Sequence, residues 1–265
     1  MEFSKSEQQE LRAVAEEMAD TARGVTLRYF RSEALAVDNK EADGFDPVTV
    51  ADREAEQAMR AVLANRRPDD AIYGEEFGKS EGVSGLTWVL DPIDGTRAFI
   101  SGAPSWGVLI GLDAGQGPVL GLVDQPYIGE RFVGGFGKAD WARGSAQREI
   151  SVRACSGLKN ATLMSTFPEV GTVDEGAAFA AVSAECKLTR YGLDCYAYAL
   201  LAMGQIDLVI EAQLNAYDVQ GPIGVVQGAG GIVTDWQGNP AHNGGQIIAA
   251  GDARAHAAAL EILNK

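Results

Sequence analysis

Residues 88–102 read WVLDPIDGTRAFISG. The apolar run of Trp88, Val89 and Leu90 stops at Asp91, and Pro92 lacks the N–H that an interior strand would donate. Asp94 follows three residues after Asp91, so two like charges stand at the end of what reads as a buried strand. Carboxylates this close repel unless a cation lies between them or one keeps its proton. A hard divalent cation resolves the conflict, because Mg²⁺ takes oxygen ligands and is usually held by a few carboxylates and a substrate phosphate. Gly95-Thr96 then permits a tight turn into a short helix, with free backbone N–H groups that would face a phosphate. Asp-Pro-x-Asp-Gly is also good surface-turn chemistry. The stretch alone leaves both readings open, and carboxylates at other strand ends are what separate them.

Two such places exist: Glu75 and Glu76 follow the strand-like AIYG, and Asp218 precedes a glycine-rich helix ending GAGG. Upstream, residues 4–30 predict a helix, with Ser4 and Glu7 as a capping box and Leu11, Val14, Met18, Ala22 and Val25 at helical spacing. Residues 33–49 read as a polar loop, and residues 51–66 as a second helix with Ala55, Met59, Val62 and Leu63 on one face. From 71 to 136, short apolar runs bounded by Gly, Pro and Asp suit strands. KADWARGSAQREISVRA, from Lys138, reads as the boundary region. It divides the chain into an α+β half, 1–145, and an α/β half, 146–265, where strands and helices alternate to a final helix ending EILNK. Together the halves imply stacked layers of helix and sheet.

A chain of 265 residues, 46% of them hydrophobic, can bury a sizeable core. Its net charge of -15 repels nucleic acid and anionic membranes, so neither is expected as a partner. A phosphate ester suits such a chain only if metal ions supply positive charge. No apolar run is long enough to span a membrane, and the acidic N-terminal helix has no signal-peptide core. Cys155, Cys186 and Cys195 lack CxxC spacing and read as reduced thiols, so a cytoplasmic location is expected. His242 and His256 sit in no metal motif and read as surface residues.

Taken jointly, DPVTVADREAE (46–56), GEEFG (74–78), WVLDPIDGTRAFISG (88–102) and YDVQGPIGVVQGAGG (217–231) resemble the Mg²⁺-dependent, Li⁺-sensitive phosphatases typified by inositol monophosphatase. The resemblance runs along essentially the whole chain. It implies an α-β-α-β-α sandwich of the inositol monophosphatase/fructose-bisphosphatase type, antiparallel in the N-terminal sheet and mixed in the C-terminal one, and a homodimer. It implies that Glu75, Asp91, Asp94, Asp218 and the Ile93 carbonyl hold two or three Mg²⁺ ions per site. Gly95 and Thr96 would hold phosphate through their N–H groups. Glu75 and Thr96 would orient the water that attacks a small phosphate monoester in line, and Asp52 would position Thr96. Asp52 could instead serve only as a favourable charge at its helix N-terminus. Lys40 would either approach a third metal or be a solvated lysine.

Within that family, LTRYGLDCYAY (188–198) and VIEAQLNAYD (209–218) resemble the histidinol-phosphate phosphatase branch, which carries RYGGDCY, VEAGL and YD. RAF (97–99), where the inositol enzymes usually read Thr-Asn-Phe, fits the same branch. Histidinol is a cation with an ammonium and an imidazole, whereas inositol is neutral. Asp194 and Glu211 could accept charge-assisted hydrogen bonds from those groups. Glu211 has a counterpart in the inositol enzymes; Asp194 stands where they tend to have a small apolar residue. Asp194 could instead cap the helix that follows it, and Arg97 could touch substrate or pair with an acid. Leu193, Gln213, Asn215-Ala216 and Gln227 depart from the branch pattern without removing a metal ligand. The leading expectation is hydrolysis of L-histidinol phosphate, with a broad inositol-1-monophosphatase-like enzyme as the alternative. A nucleotide phosphatase lacks a basic patch here, and the complete ligand set argues against a catalytically silent metal-binding module.

Overall fold

In the first helix, α1 (Lys5–Tyr29), Glu7 Oε2 accepts the Ser4 N–H at 2.8 Å while Ser4 Oγ accepts the Glu7 N–H at 3.3 Å, closing the expected capping box. Its buried stripe of Leu11, Val14, Ala15, Met18 and Ala22 packs beside α2 (Val50–Arg66), which buries Ala55, Met59 and Leu63. The computed structural model describes residues 2–33, 35, 37–39 and 47–265. Within the stretch read as a polar loop, β1 (Val37–Asn39) pairs antiparallel with β2 (Pro47–Thr49); Lys40 lies outside the described residues.

The helices α1 and α2 cover one face of an eight-stranded sheet. It is built from β3 (Ala71–Gly74), β4 (Gly78–Ser80), β5 (Thr87–Asp94), then, after the short α3 (Thr96–Ile100), β6 (Gly107–Asp113), β7 (Pro118–Gln125), β8 (Glu130–Gly135), β9 (Lys138–Arg143) and β10 (Ala146–Ile150). The spatial order is β10-β9-β8-β7-β6-β5-β3-β4. Every pair is antiparallel except β3 with β5, where the chain rounds the short edge strand β4 before re-entering the sheet. The sheet is thus antiparallel, as expected, but for that single pair. The stretch read as a boundary holds the β9–β10 hairpin, and the chain leaves the sheet at Ile150 for an irregular run through Ser156. In β10 only Ile150 is buried, so the strand carries almost no apolar signal.

The second sheet is built from β11 (Thr162–Ser165), α4 (Val173–Glu185), β12 (Leu188–Tyr191), α5 (Tyr196–Ala202), β13 (Leu208–Asn215), α6 (Ala216–Gly228), β14 (Ile232–Thr234), β15 (Gly244–Ala250) and α7 (Ala253–Leu263). Its order is β12-β11-β13-β15-β14, with β11 parallel to both neighbours and β15 antiparallel to both of its own. The helices α4 and α7 cover its outer face through Phe179, Val182, Ala255 and Ala259. Between the sheets lie α5 and α6, giving α-β-α-β-α layering. The glycines of GPIGVVQGAGG let α6 rest on the first sheet: a Cβ on Gly121 of β7 would stand 2.1 Å from the Gly221 carbonyl oxygen. This buried middle layer brings the start of α6 to the end of β5.

Candidate active site

In a regular strand, residues three apart face opposite sides of the sheet. Asp91 pairs with Leu109 and Asp94 with Gly107, so Pro92 and Ile93 together oppose the single Val108. This bulge, placed where Pro92 cannot join the ladder, turns both carboxylates to the same side. Asp91 Oδ1 accepts the Ile93 N–H at 2.9 Å, and Asp94 Oδ2 accepts the Cys195 N–H at 2.7 Å from the start of α5. Asp218, in the first turn of α6, accepts the Asn215 N–H at 2.6 Å. Asp91, Asp94 and Asp218 each offer an oxygen within 4.8 Å of the others. Glu75, just beyond β3, hydrogen-bonds to Asp91, so four of the expected ligand side chains converge.

Charge explains what this group requires. Burial first, then the neighbouring charges of Glu75, Asp94 and Asp218, pushes the Asp91 carboxyl well above the usual range. Burial, Asp194 and Asp218 do the same to Asp94, and burial with Glu75 raises Asp218 to about 7. The group lines a cleft of about 460 Å³ with Asp194, Glu169 and Glu211, and among the described lining residues Arg97 is the sole lysine or arginine. A set of oxygen-only donors whose charges are uncompensated fits a hard divalent cation such as Mg²⁺.

Gly95, in the left-handed conformation at φ +82°, makes the turn from β5 into α3. Thr96 Oγ1 donates to the Ile93 carbonyl at 3.2 Å. Asp52 accepts the Thr49 N–H at 2.9 Å and the Thr49 hydroxyl, completing the N-terminal capping box of α2. The expected Asp52 and Thr96 pair is thus engaged with Thr49 and Ile93. Burial raises the Asp52 carboxyl to about 7 against the Thr49 bonds, with the charges of Glu75 and Glu76 adding to the rise. Asp194 does not cap α5: its Oδ2 accepts the Ser105 hydroxyl at 2.8 Å, and its backbone is left-handed at φ +46°. Glu211 lines the cleft, but its oxygens already accept the Thr166 N–H and hydroxyl and the Tyr198 hydroxyl, the last at 2.7 Å. It therefore ties β13 to the segment after β11 and to α5. Arg97 lies 5.4 Å over the Phe167 ring at the cleft wall.

Ser105, Thr166, Phe167 and Tyr198 were not foreseen as site residues. Each touches the site through a contact between segments some distance apart in sequence, and only Tyr198 lies within a motif stretch, LTRYGLDCYAY, where no role was read for it. His256, expected at the surface, is buried: α7 turns it inward, where Nε2 lies 2.9 Å from Thr234 Oγ1. His242 is half-buried, and neither histidine lines the cleft.

Residues 7–265 match the profile of the inositol monophosphatase family. The chain belongs to the inositol monophosphatase family. The family's members are metal-dependent phosphatases, typically using Mg²⁺, that hydrolyse small phosphate monoesters, and the acidic trio above fits that requirement. The chain is 41% identical to the bifunctional phosphatase IMPL2, chloroplastic, of Arabidopsis thaliana, over 99% of this chain and 77% of that one. It is 33% identical to a histidinol-phosphatase of Streptomyces coelicolor, covering 95% and 96% of the two chains. A solved inositol monophosphatase from Zymomonas mobilis superposes with a TM-score of 0.85 at 38% identity, covering 99% of this chain and all of the other. No helix among the described residues is long and apolar enough to cross a membrane.

Proposed function

We propose that this family phosphatase hydrolyses L-histidinol phosphate to L-histidinol and phosphate, a step of histidine biosynthesis. The observation that supports this reading is Asp194: a carboxylate beside the ligand trio, oriented by Ser105 and facing a cleft wall rich in acids. Such a wall favours an alcohol that carries ammonium and imidazole N–H groups. An inositol phosphate is the second reading, supported by the Zymomonas mobilis likeness and by Glu211, which hydroxyl groups could also reach.

In this reading Glu75, Asp91, Asp94, Asp218 and the Ile93 carbonyl would hold two or three Mg²⁺ ions. When bound, the ions would neutralise the carboxylates, polarise the phosphoryl group and acidify water. Gly95 and Thr96 direct their N–H groups to the phosphoryl oxygens. The Thr96 hydroxyl donates to Ile93, which leaves its oxygen free to accept a hydrogen bond from water, and Glu75 orients the same water and takes its proton as base. Water attacks phosphorus in line, the P–O ester bond breaks on the opposite side, the departing alkoxide takes a proton from solvent water to give the alcohol, and no covalent enzyme intermediate forms. Asp52 acts indirectly, by fixing the start of α2 through Thr49. Arg97 contacts the substrate from the cleft wall, and the active species is a cytoplasmic homodimer.

The test is phosphate release with Mg²⁺ from L-histidinol phosphate and myo-inositol 1-phosphate side by side, for the wild type and Asp194→Ala. The reading expects a large kcat/KM preference for histidinol phosphate, lost mainly through KM in the variant. Equal effects on both substrates would remove Asp194 as selector, and preference for the inositol ester would overturn the substrate.

A further inference from the structure

One helical turn beyond Asp52, α2 carries Glu56, a carboxylate with 0% of its surface exposed. Carboxylates are almost never this buried unless paired. Glu56 Oε2 accepts the Glu76 N–H at 2.7 Å, and Oε1 accepts the Phe77 N–H at 3.3 Å and Arg60 Nε at 2.7 Å. Arg60 reaches on to the same hairpin, donating from Nη2 to the Gly78 carbonyl at 2.5 Å and from Nη1 to Ser80 Oγ at 2.9 Å. Two charged side chains of one helix therefore grip the whole β3–β4 turn.

That turn carries Glu75. Its own N–H is fixed by the Leu90 carbonyl of β5 at 3.1 Å, so the backbone is held from the strand side before Glu75 and from the α2 side after it. Gly74 completes the arrangement: a Cβ there would stand 2.0 Å from Glu56 Oε1, so glycine is what lets the carboxylate lie against the strand end. Apolar packing of the same volume is often as stable as such a pair, so stability of the hairpin alone does not account for a fully buried Glu56 held by a largely buried Arg60.

We infer that Glu56, held by Arg60, is a positioning residue for Glu75: it sets the turn backbone so that the Glu75 carboxylate meets Asp91. The inference rests on Glu75 being a metal ligand, as proposed above. It is tested on the full chain by calorimetric titration with Mn²⁺, and by the Mg²⁺ concentration giving half-maximal phosphate release. Glu56→Gln keeps the shape but places an amide N–H₂ against donors. Glu56→Gln and Gly74→Ala should each weaken Mn²⁺ binding about tenfold, with kcat largely recovered at saturating Mg²⁺. Arg60→Lys, which keeps the charge but loses the fork, should show a smaller loss in the same direction and serves if the others fail to fold. Asp207→Asn, remote from the cleft, is the control for lost stability and should leave Mn²⁺ affinity unchanged. Wild-type Mn²⁺ affinity in Glu56→Gln or Arg60→Lys, beside weakened binding in Glu75→Gln, would overturn the positioning role alone. Wild-type affinity in Glu75→Gln would overturn the ligand assignment and the positioning role with it.

Discussion

Gly95→Ala probes the turn between β5 and α3. Gly95 has φ +82° and ψ +41°, a left-handed conformation that costs an L-residue about 1–2 kcal/mol. A Cβ there would stand 2.8 Å from Asp194 Cγ and 3.0 Å from Asp194 Cβ. Both are inside ordinary carbon contact, by roughly 0.5–1 Å. Asp194 cannot swing aside cheaply, because its own φ is +46° and Ser105 holds its carboxylate. Overpacking of this kind costs about 1–3 kcal/mol, so the sum is about 2–5 kcal/mol. For a chain of this size that lowers Tm by roughly 5–15 °C. If the turn shifts instead, the Gly95 and Thr96 N–H groups move relative to the acidic trio, and a displacement near 1 Å costs on the order of 100-fold in rate. The assay pairs thermal unfolding with Mg²⁺-dependent phosphate release. Asp194→Ala removes the 2.8 Å contact but not the backbone strain, so Gly95→Ala/Asp194→Ala should be more stable than the sum of the single changes by about 1–2 kcal/mol. Strict additivity would refute the contact, and a wild-type Tm with wild-type turnover in Gly95→Ala would refute the whole account.

Asp94→Asn should cut turnover about 1000-fold or more while leaving Tm unchanged or higher, since it removes a buried like charge; wild-type turnover would sink the ligand assignment. Gln213, exposed at φ +63° where β13 bulges, pays a left-handed cost that glycine would relieve, so Gln213→Gly should raise Tm by about 1–3 °C after the added chain entropy; a fall would show that the side chain has a role. Asp207 accepts Arg153 Nε at 2.8 Å and Nη2 at 2.6 Å and the Thr162 N–H at 2.7 Å. Burial would raise its carboxyl, but these donors outweigh burial and hold it below the usual value. Its stabilisation is therefore complete above the unfolded value near 4 and lost as pH falls through the folded one. Asp207→Asn should cost about 2–3 kcal/mol at pH 7 and progressively less as the pH falls below about 4; a cost that does not change with pH would remove the ionic contribution. His256 is held below its ordinary value by burial. The unfolded chain thus takes up its proton first, and stability should fall as pH drops below about 6.5. A His256 NMR titration midpoint at or above 6.5 would contradict this.

How much was legible depended on how local the cause was. The capping box of Ser4 and Glu7 and the stripe of α1 are written within one helix, so periodicity found them. The β9–β10 hairpin was missed because an exposed edge strand with one buried residue has no alternation to detect. His256 looked like a surface residue because nothing in its own helix shows that Thr234, 22 residues away, lies against it. Leu193 and Gln213 both depart from expected glycines, yet they are not equivalent. Gln213 stands at positive φ, whereas Leu193 is not among the described residues that do.

The sequence by itself determined which carboxylates are candidate ligands and which family they mark, because motif residues are read without knowing where the chain goes. It also determined the alternation of helix and strand that makes a layered fold. Only the tertiary structure decided that Asp91 and Asp94 share a face, because a bulge is a relation between β5 and its neighbour β6. Only it showed Glu211 bonded to Thr166 and Tyr198, Asp194 held by Ser105, and Glu56 gripping the turn of Glu75. Each of these joins segments distant in sequence, and a buried polar group declares its role only once its partners are in place.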